Sequence, residues 1–407
     1  MSGSSGPRPD GEPGIRARRD RTASPGVLRG SSGPRPDGEP GIRARRDRTA
    51  SPVLLTGATG FLGMEVLARL LERTDRDVLC LVRAPGRDAA EQRLHAVLAK
   101  LYGDASPYRA RVRDTGTYRA RVRALPGDLT AGIAPPDEEI DVVCHCAASI
   151  SFDLPLEEAR EINVEGTRSM IELARAVGAR RFVHVSTAYV SGTHTGEFTE
   201  DMLGTEFRNT YEQTKSEAER LFDGVTGMEV AIARPSIVMG ESDTGWTPAF
   251  NVLYWPLRAF ARGLFEQVPA KPDGRVDVVP VDYVADGIHT LIESDATGTF
   301  NLVSGPEAAT VDELAELACS HFDRPRPPYV QTGVFGDPTA DEHGAVYLPY
   351  FDMDVVFDDT RTREQLGIHA PRLRSYFDTL MDYADAARWG KRGTTREQAR
   401  ERVRAAA

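Results

Sequence analysis

Tyr211 and Lys215 are the residues of this chain whose types and spacing most directly suggest chemistry. They stand four apart at the start of a predicted helix, so both project from one face. A phenol titrates near 10, too high to exchange protons readily at neutral pH, and a neighbouring ammonium would favour its ionised form. The lysine is informative because only Lys100, Lys215, Lys271 and Lys391 occur among 50 basic residues. With 12 tyrosines in 407 residues, chance supplies about 0.1 such pair, and this is the single one. In a chain so committed to arginine, a compact ammonium at this place suggests that one is needed.

A hydroxyl for the same chemistry lies upstream. An apolar run at 182–185 leads into Ser186-Thr187-Ala188-Tyr189, and the C-terminal end of a parallel strand is where an α/β sheet presents its ligands. Thr187, with Ser186 as second choice, would hold a carbonyl oxygen as it gains charge.

The string Val53-Leu54-Leu55-Thr56-Gly57-Ala58-Thr59-Gly60-Phe61-Leu62-Gly63 is the most specific motif. An apolar strand enters a turn with glycines at 57, 60 and 63 and opens into a helix, as a pyrophosphate cradle requires. The cofactor set read from it is Thr56, Gly57, Thr59, Gly60, Phe61, Leu62 and Gly63. The second strand, 78–82, ends in Arg83, with Arg87 and Arg93 following, while Asp75 and Asp77 lie at its other end. A guanidinium there suits a 2′-phosphate, so NADPH is expected rather than NADH. Asp128, followed by Leu129, stands where it could accept from an adenine amine. The small residues Ala147 and Ala148 end the fourth strand and let a cofactor pass closely, with His145 read as a packed neighbour.

These residues need a scaffold, and the patterning supplies one. Short β-branched runs at 53–55, 78–82, 142–146, 182–185 and 230–233 alternate with helical stretches at 61–73, 89–101, 156–177 and 211–222. That rhythm predicts an α/β fold, a doubly wound parallel sheet of Rossmann type, with a smaller C-terminal substrate-binding part. The expected organisation is a leader at 1–52, a nucleotide-binding core at 53–240, a mixed substrate part interleaved with it at 241–390, and a charged tail at 391–407. Phe250, Tyr254, Trp255 and Phe260 are candidates for a substrate cleft. The leader repeats one 23-residue segment, 3–25, at 30–52, and is too poor in apolar residues to order itself. A second repeat, YRARVR, occupies 108–113 and 118–123, one copy expected at a strand and the other in a loop.

Composition narrows the partners. The net charge is −11, and the leader alone carries 11 arginines against 6 acids, so the body is strongly acidic and unsuited to nucleic acid. Four cysteines read as buried thiols, with neither disulfide nor metal expected, in a cytoplasmic protein. No stretch is apolar enough for a transmembrane segment.

With these residues in hand, 53–387 resembles the extended short-chain dehydrogenase/reductase family. The motifs are Thr56 to Gly63, Asp128, Asn163 in Asn-Val-Glu-Gly-Thr, Ser186-Thr187, Tyr211 with Lys215, and Arg234-Pro235-Ser236. Cys80-Leu81-Val82-Arg83-Ala84 and Ala233-Arg234-Pro235-Ser236-Ile237-Val238 are similar to the thioester reductase and fatty acyl-CoA reductase branch. The resemblance implies that Asn163 organises the site and that Pro235 and Ser236 lie near the nicotinamide. It also implies an acyl thioester, bound to CoA or a carrier protein, reduced to an aldehyde or alcohol with Tyr211 as proton donor. Pairing of the 156–177 and 211–222 helices would make a homodimer. Other readings in the same fold are a ketone or hydroxysteroid-type reductase and a sugar-nucleotide epimerase. Outside enzymes the alternative is an NADPH-binding regulator, which would have no need of the Thr–Tyr–Lys set.

Overall fold

Seven apolar strands fix the architecture. In the computed structural model, which describes residues 52–103, 121–250, 252–330, 347–351 and 353–406, they are β1 (Val53–Thr56), β2 (Val78–Val82), β3 (Val122–Pro126), β4 (Val142–His145), β5 (Arg181–Val185), β7 (Glu229–Pro235) and β11 (Gly298–Leu302). All pair in parallel, in the order β11-β7-β5-β4-β1-β2-β3. The order reverses between β1 and β4, which opens a crevice at their C-terminal ends. Every residue of β1, β2, β4 and β5 is buried. Continuous rather than alternating hydrophobicity is what a strand covered on both faces needs. The leader up to residue 51, the first YRARVR copy and residues 118–120 of the second fall outside the described residues; the last residues of the second copy, 121–123, lead into β3.

One face is covered by α1 (Phe61–Arg73) and α2 (Arg87–Tyr102), the other by α4 (Gly166–Ala176), which the short α3 (Leu156–Arg160) precedes. The expected helix at 156–177 is therefore interrupted. Glu161–Glu165 forms one π-helical turn between α3 and α4, and Asn163 sits in it. Such a turn inserts one residue and re-aims the side chains around it. The helix expected at 211–222 is α5 (Thr210–Glu219), closed by a 3₁₀ turn, Arg220–Phe222.

Beyond β7 the chain builds a second core, with β8 (Ile237–Met239) and α6 (Tyr254–Ala261), then β9 (Arg275–Val276) and β10 (Val278–Pro280). It returns to the large sheet through α7 (Val281–Glu293) and β11, then continues through β12 (Ala309–Thr310), α8 (Val311–Phe322), β13 (Val355–Phe357), which pairs with β6 (Gly196–Phe198), and α9 (Phe377–Ala386). The aromatics proposed for a cleft divide here. Tyr254 is buried and its hydroxyl accepts from the Gly240 amide at 3.1 Å, while Phe250 stacks on Tyr383. Both are core side chains, filling the junction that the aromatic-rich sequence creates.

The residues read as a charged tail depart from that expectation. Arg396–Ala406 is a helix, α10, and Arg396 is only 1% exposed. Its guanidinium meets Glu65 at 3.0 Å, Glu241 at 2.7 Å and Glu72 at 2.7 Å, and Arg400 adds contacts to Glu72 and Glu241. Charge alone looked like solvation; three carboxylates gathered from two distant parts of the chain turn it into an anchor.

Candidate active site

The crevice is built around the glycine turn. Gly57 has φ +74°, and a β-carbon there would stand 2.8 Å from the Ala147 amide nitrogen. A β-carbon on Gly63 would stand 2.2 Å from the Gly57 carbonyl oxygen. Glycine is thus required where the turn and helix close on β4. Gly60 begins α1 with no side-chain cap, and the first turn holds no acid. Its free amides and positive helix end fit a pyrophosphate. Phe61 and Leu62 pack partly against the sheet core, and Thr59 is half-buried.

Thr56 does something the motif did not disclose. It is buried, its hydroxyl lies 2.8 Å from His145 Nδ1, and it accepts from the Ala147 amide at 3.1 Å. It bolts β1 to β4 and holds the Ala147-Ala148 turn beside the glycines. Burial drives the His145 pKa down to about 3 and that of His184 well below 6.5, so both imidazoles are neutral. His145 is the packed neighbour that was expected.

At the end of β2, Arg83 is exposed, and no acid among the described residues pairs with it. Arg93 instead donates to the Arg83 carbonyl, fixing the loop. Asp128 accepts from the Thr130 amide and hydroxyl, both at 3.1 Å, so one of its oxygens serves the turn. Leu129 packs beneath Gly166, the first residue of α4.

Asn163 joins three pieces. Its side chain accepts from the Ser149 amide at 2.7 Å and donates to the Ser149 carbonyl at 3.1 Å and to Thr214 at 3.0 Å. The π-turn thereby ties the loop after β4 to α5, the helix carrying Tyr211 and Lys215. Ser186 is buried, with no partner for its hydroxyl among the described residues. Pro235 accepts a long bond of 3.4 Å from the Thr187 hydroxyl, and Ser236 lies beside the buried carboxylate of Asp277.

Tyr211 is the second residue of α5. Burial pushes its phenol up to about 12, and a hydrogen bond with the Thr187 hydroxyl pulls the other way. The sequence reading expected Lys215 to lower this group. Instead Lys215 is itself 2% exposed and its ammonium donates to the Val185 carbonyl at 2.8 Å, with His184 Nε2 at 3.4 Å. Burial lowers Lys215 to about 8. The lysine pins α5 to the strand end that carries Thr187, and the Tyr211 phenol keeps its proton at neutral pH.

Sequence reasoning missed the second support of Tyr211. Asn209 caps α5 by accepting from the Glu212 amide at 3.0 Å, and the wholly buried Glu212 carboxylate accepts from the Arg208 amide at 3.0 Å. Tyr350 donates to Glu212 at 2.8 Å, and Asn209 donates to Tyr350 at 2.8 Å. The Tyr350 ring stacks on Phe152 at 5.3 Å, and Phe152 meets the Tyr211 ring at 5.8 Å. Asn209-x-x-Glu212 is a readable helix-start signature; nothing in the sequence pointed to Tyr350, 139 residues from Tyr211.

These shifts predict a pH profile. The kcat/KM for the coenzyme is expected to stay flat through neutrality and fall above about 8, as Lys215 loses its proton. No inflection is expected near 6.5, since neither buried histidine titrates there. Between about 8 and the ordinary 10.5 the unfolded chain binds the Lys215 proton more tightly, so folding gains stability as pH rises. The fall in activity would therefore not be unfolding. A histidine-like inflection near neutrality would refute this assignment.

A parallel sheet with its order reversal, a glycine cradle at that reversal and a Thr–Tyr–Lys group beside it define an NAD(P)-dependent oxidoreductase of the extended short-chain dehydrogenase/reductase type. The chain belongs to the male sterility protein family, whose model matches residues 55–288. It is 31% identical over 271 residues to a linear gramicidin synthase protein of Brevibacillus parabrevis, a match that takes in 63% of this chain and 5% of the synthase protein. It is 31% identical to fatty acyl-CoA reductase 1 of Mus musculus over 273 residues, 56% of this chain and 52% of the reductase. The chain therefore spans about half of that reductase and a small part of the synthase protein. The crystal structure of the terminal R domain from the myxalamid PKS-NRPS biosynthetic pathway matches with a TM-score of 0.71 and 25% identity, covering 85% of this chain and 93% of that one.

Among the described residues no helix is long and apolar enough to cross a membrane.

Proposed function

We propose that the chain is an NADPH-dependent reductase of an acyl thioester, releasing an aldehyde, with Tyr211 as the proton donor. The observation that carries this reading is the Tyr211 phenol, half-buried, held protonated and close to the Thr187 hydroxyl, beside a glycine cradle that fits a dinucleotide. The names of relatives, fatty acyl-CoA reductase and a biosynthetic terminal R domain, support an acyl substrate.

A bound nicotinamide supplies the hydride. The chain's residues manage the oxygen. Thr187 and Tyr211 hold it while the carbonyl carbon becomes tetrahedral, and Tyr211 gives it a proton. A phenol held near 12 is still acid enough for a developing alkoxide, and it stays protonated at neutral pH. The resulting hemithioacetal then loses its C–S bond: the hydroxyl proton leaves, the C=O re-forms and the thiol departs with a proton. Lys215 and Asn163 position α5 and the Ala147-to-Ser149 loop. Arg83, exposed and without an acidic partner among the described residues, would hold the 2′-phosphate.

The test is coenzyme oxidation with acyl-CoA thioesters beside simple ketones and aldehydes. Thioester turnover with release of free thiol is the expected result; turnover of ketones alone would overturn the assignment. Arg83→Asp should lower kcat/KM for NADPH roughly ten- to hundredfold, the worth of a hydrogen bond to a charged group, and leave NADH unharmed. An unchanged NADPH-to-NADH ratio would remove Arg83 from the phosphate site.

A further inference from the structure

One row across the large sheet is polar at its centre. Register places Thr56 of β1 beside His145 of β4 and His145 beside His184 of β5, with Leu81 and Ile232 at the two ends. Thr56 and His145 bond each other at 2.8 Å, and the second nitrogen of His145 meets the Thr167 hydroxyl at 3.3 Å. His184 is different. It is 0% exposed, its ring lies 5.1 Å from that of Phe222, and its Nδ1 has no partner among the described residues. A phenylalanine would fill such a place without burying an unsatisfied nitrogen, which is destabilising. Packing therefore does not explain the imidazole.

The other ring nitrogen does. Nε2 lies 3.4 Å from the Lys215 ammonium, which also donates to the Val185 carbonyl at 2.8 Å. The ring is neutral, so one nitrogen carries a proton and the other accepts. An ammonium can only donate, which makes Nε2 the acceptor and leaves the proton on Nδ1. Of the three ammonium protons, two thus go to consecutive residues at the end of β5, and the third has no acceptor among the described residues. Lys215 is 2% exposed, and a coenzyme hydroxyl entering the crevice at that strand end fits the remaining donor.

We infer that His184 is a positioning residue for Lys215: Nε2 and the Val185 carbonyl together fix the ammonium at the end of β5 and turn its third proton toward the coenzyme. The inference rests on the reading of the crevice as a coenzyme site, and it adds a residue outside the Thr–Tyr–Lys set. Burial lowers the Lys215 ammonium, while Glu219, four residues on along α5, and Cys146, just after β4, favour its charge. Glu219 is held by Arg234 of β7 at 2.6 Å, and the neutral His145 ring lies 5.6 Å from that of His184. All of these remain when His184 is replaced, so a change at Lys215 reports His184. Removing an acceptor disfavours the charged form. Loss of one hydrogen bond to a charged group corresponds to about one pH unit, tenfold in the dissociation constant.

The experiment is an NMR titration of isotope-labelled lysine side chains in the full chain without coenzyme. Lys100, Lys271 and Lys391 are exposed, so Lys215 is the one buried lysine, and its signal is identified by its loss in Lys215→Arg. Wild type should titrate at about 8. His184→Phe should titrate about one pH unit lower, and His184→Gln, whose amide oxygen can replace Nε2 as acceptor, should follow wild type. The fall of kcat/KM for the coenzyme at high pH should move with it. A merely structural role would change stability and leave this titration where it is. Equal titration in wild type and His184→Phe would overturn the inference. Should His184→Phe not fold, wild type decides: labelled histidine shows His184 with its proton on Nδ1 if the inference holds, and a proton on Nε2 overturns it. NADPH that leaves the wild-type Lys215 signal unmoved would instead overturn the coenzyme-site reading, and the titration without coenzyme still judges His184.

Discussion

Tyr211→Phe is expected to lower kcat about 10²- to 10⁴-fold while leaving coenzyme affinity unchanged. The substitution removes one hydroxyl. The ring that meets Phe152 at 5.8 Å is kept, as are the Asn209 cap and the Glu212 network that hold the start of α5. The variant should therefore fold and bind coenzyme as wild type does, which coenzyme titration by fluorescence would show. What disappears is the proton needed by the carbonyl oxygen. Removing an interaction made mainly in the transition state lowers kcat and kcat/KM together. Retention of more than about a tenth of the activity would sink the role of Tyr211 as proton donor, since general acid catalysis is worth at least about a hundredfold.

The second large effect is on stability. Arg396→Met should destabilise the fold by about 3–5 kcal/mol, because two buried carboxylates lose the guanidinium they share, leaving Glu65 with Arg69 and Glu241 with Arg400 alone. For a domain of this size that is a fall in Tm on the order of 10 °C. Glu65 and Glu241 are 0% and 3% exposed, and the Arg396 guanidinium meets both. The loss should also depend on pH. Burial raises Glu65 from 4.5 to about 7 even with Arg396 in place, so the folded state binds more protons than the unfolded state between those values. Stability attributable to Glu65 consequently declines as pH rises through that window. Removing Arg396 deepens the effect, so the variant should be hurt more at about pH 8 than at about pH 5. Adding Glu65→Gln should restore part of the loss. Thermal melts at the two pH values test this, and a loss that is equal at both, or absent, would show that the cluster is not the anchor described.

Tyr211, Lys215, Thr187 and the glycine turn were legible because their neighbours in sequence are their neighbours in space. A helix puts positions four apart on one face, and a strand-to-helix turn needs glycine at fixed intervals. The parallel sheet was legible for a similar reason: strands buried on both faces read as continuous apolar runs, and β1, β2, β4 and β5 are buried throughout. The family resemblance rested on those same local strings.

What the sequence could not disclose is whatever depends on which distant elements meet. Arg396 looks like any other arginine of a charged C-terminal stretch until α1 and the segment after β8 bring Glu65, Glu72 and Glu241 to it. Tyr350 acquires its part in the site only because the second core folds back onto α5. The proton affinities belong to the same class. Charge pairing along one helix suggested that Lys215 would lower Tyr211, whereas burial pushes the phenol up and the lysine down. Periodicity and turn chemistry act over a few residues, so the sequence alone determines the sheet, the cradle and the candidate reacting side chains. Desolvation and ion pairing act between segments far apart in the chain, so only the tertiary structure decides their protonation and their supports.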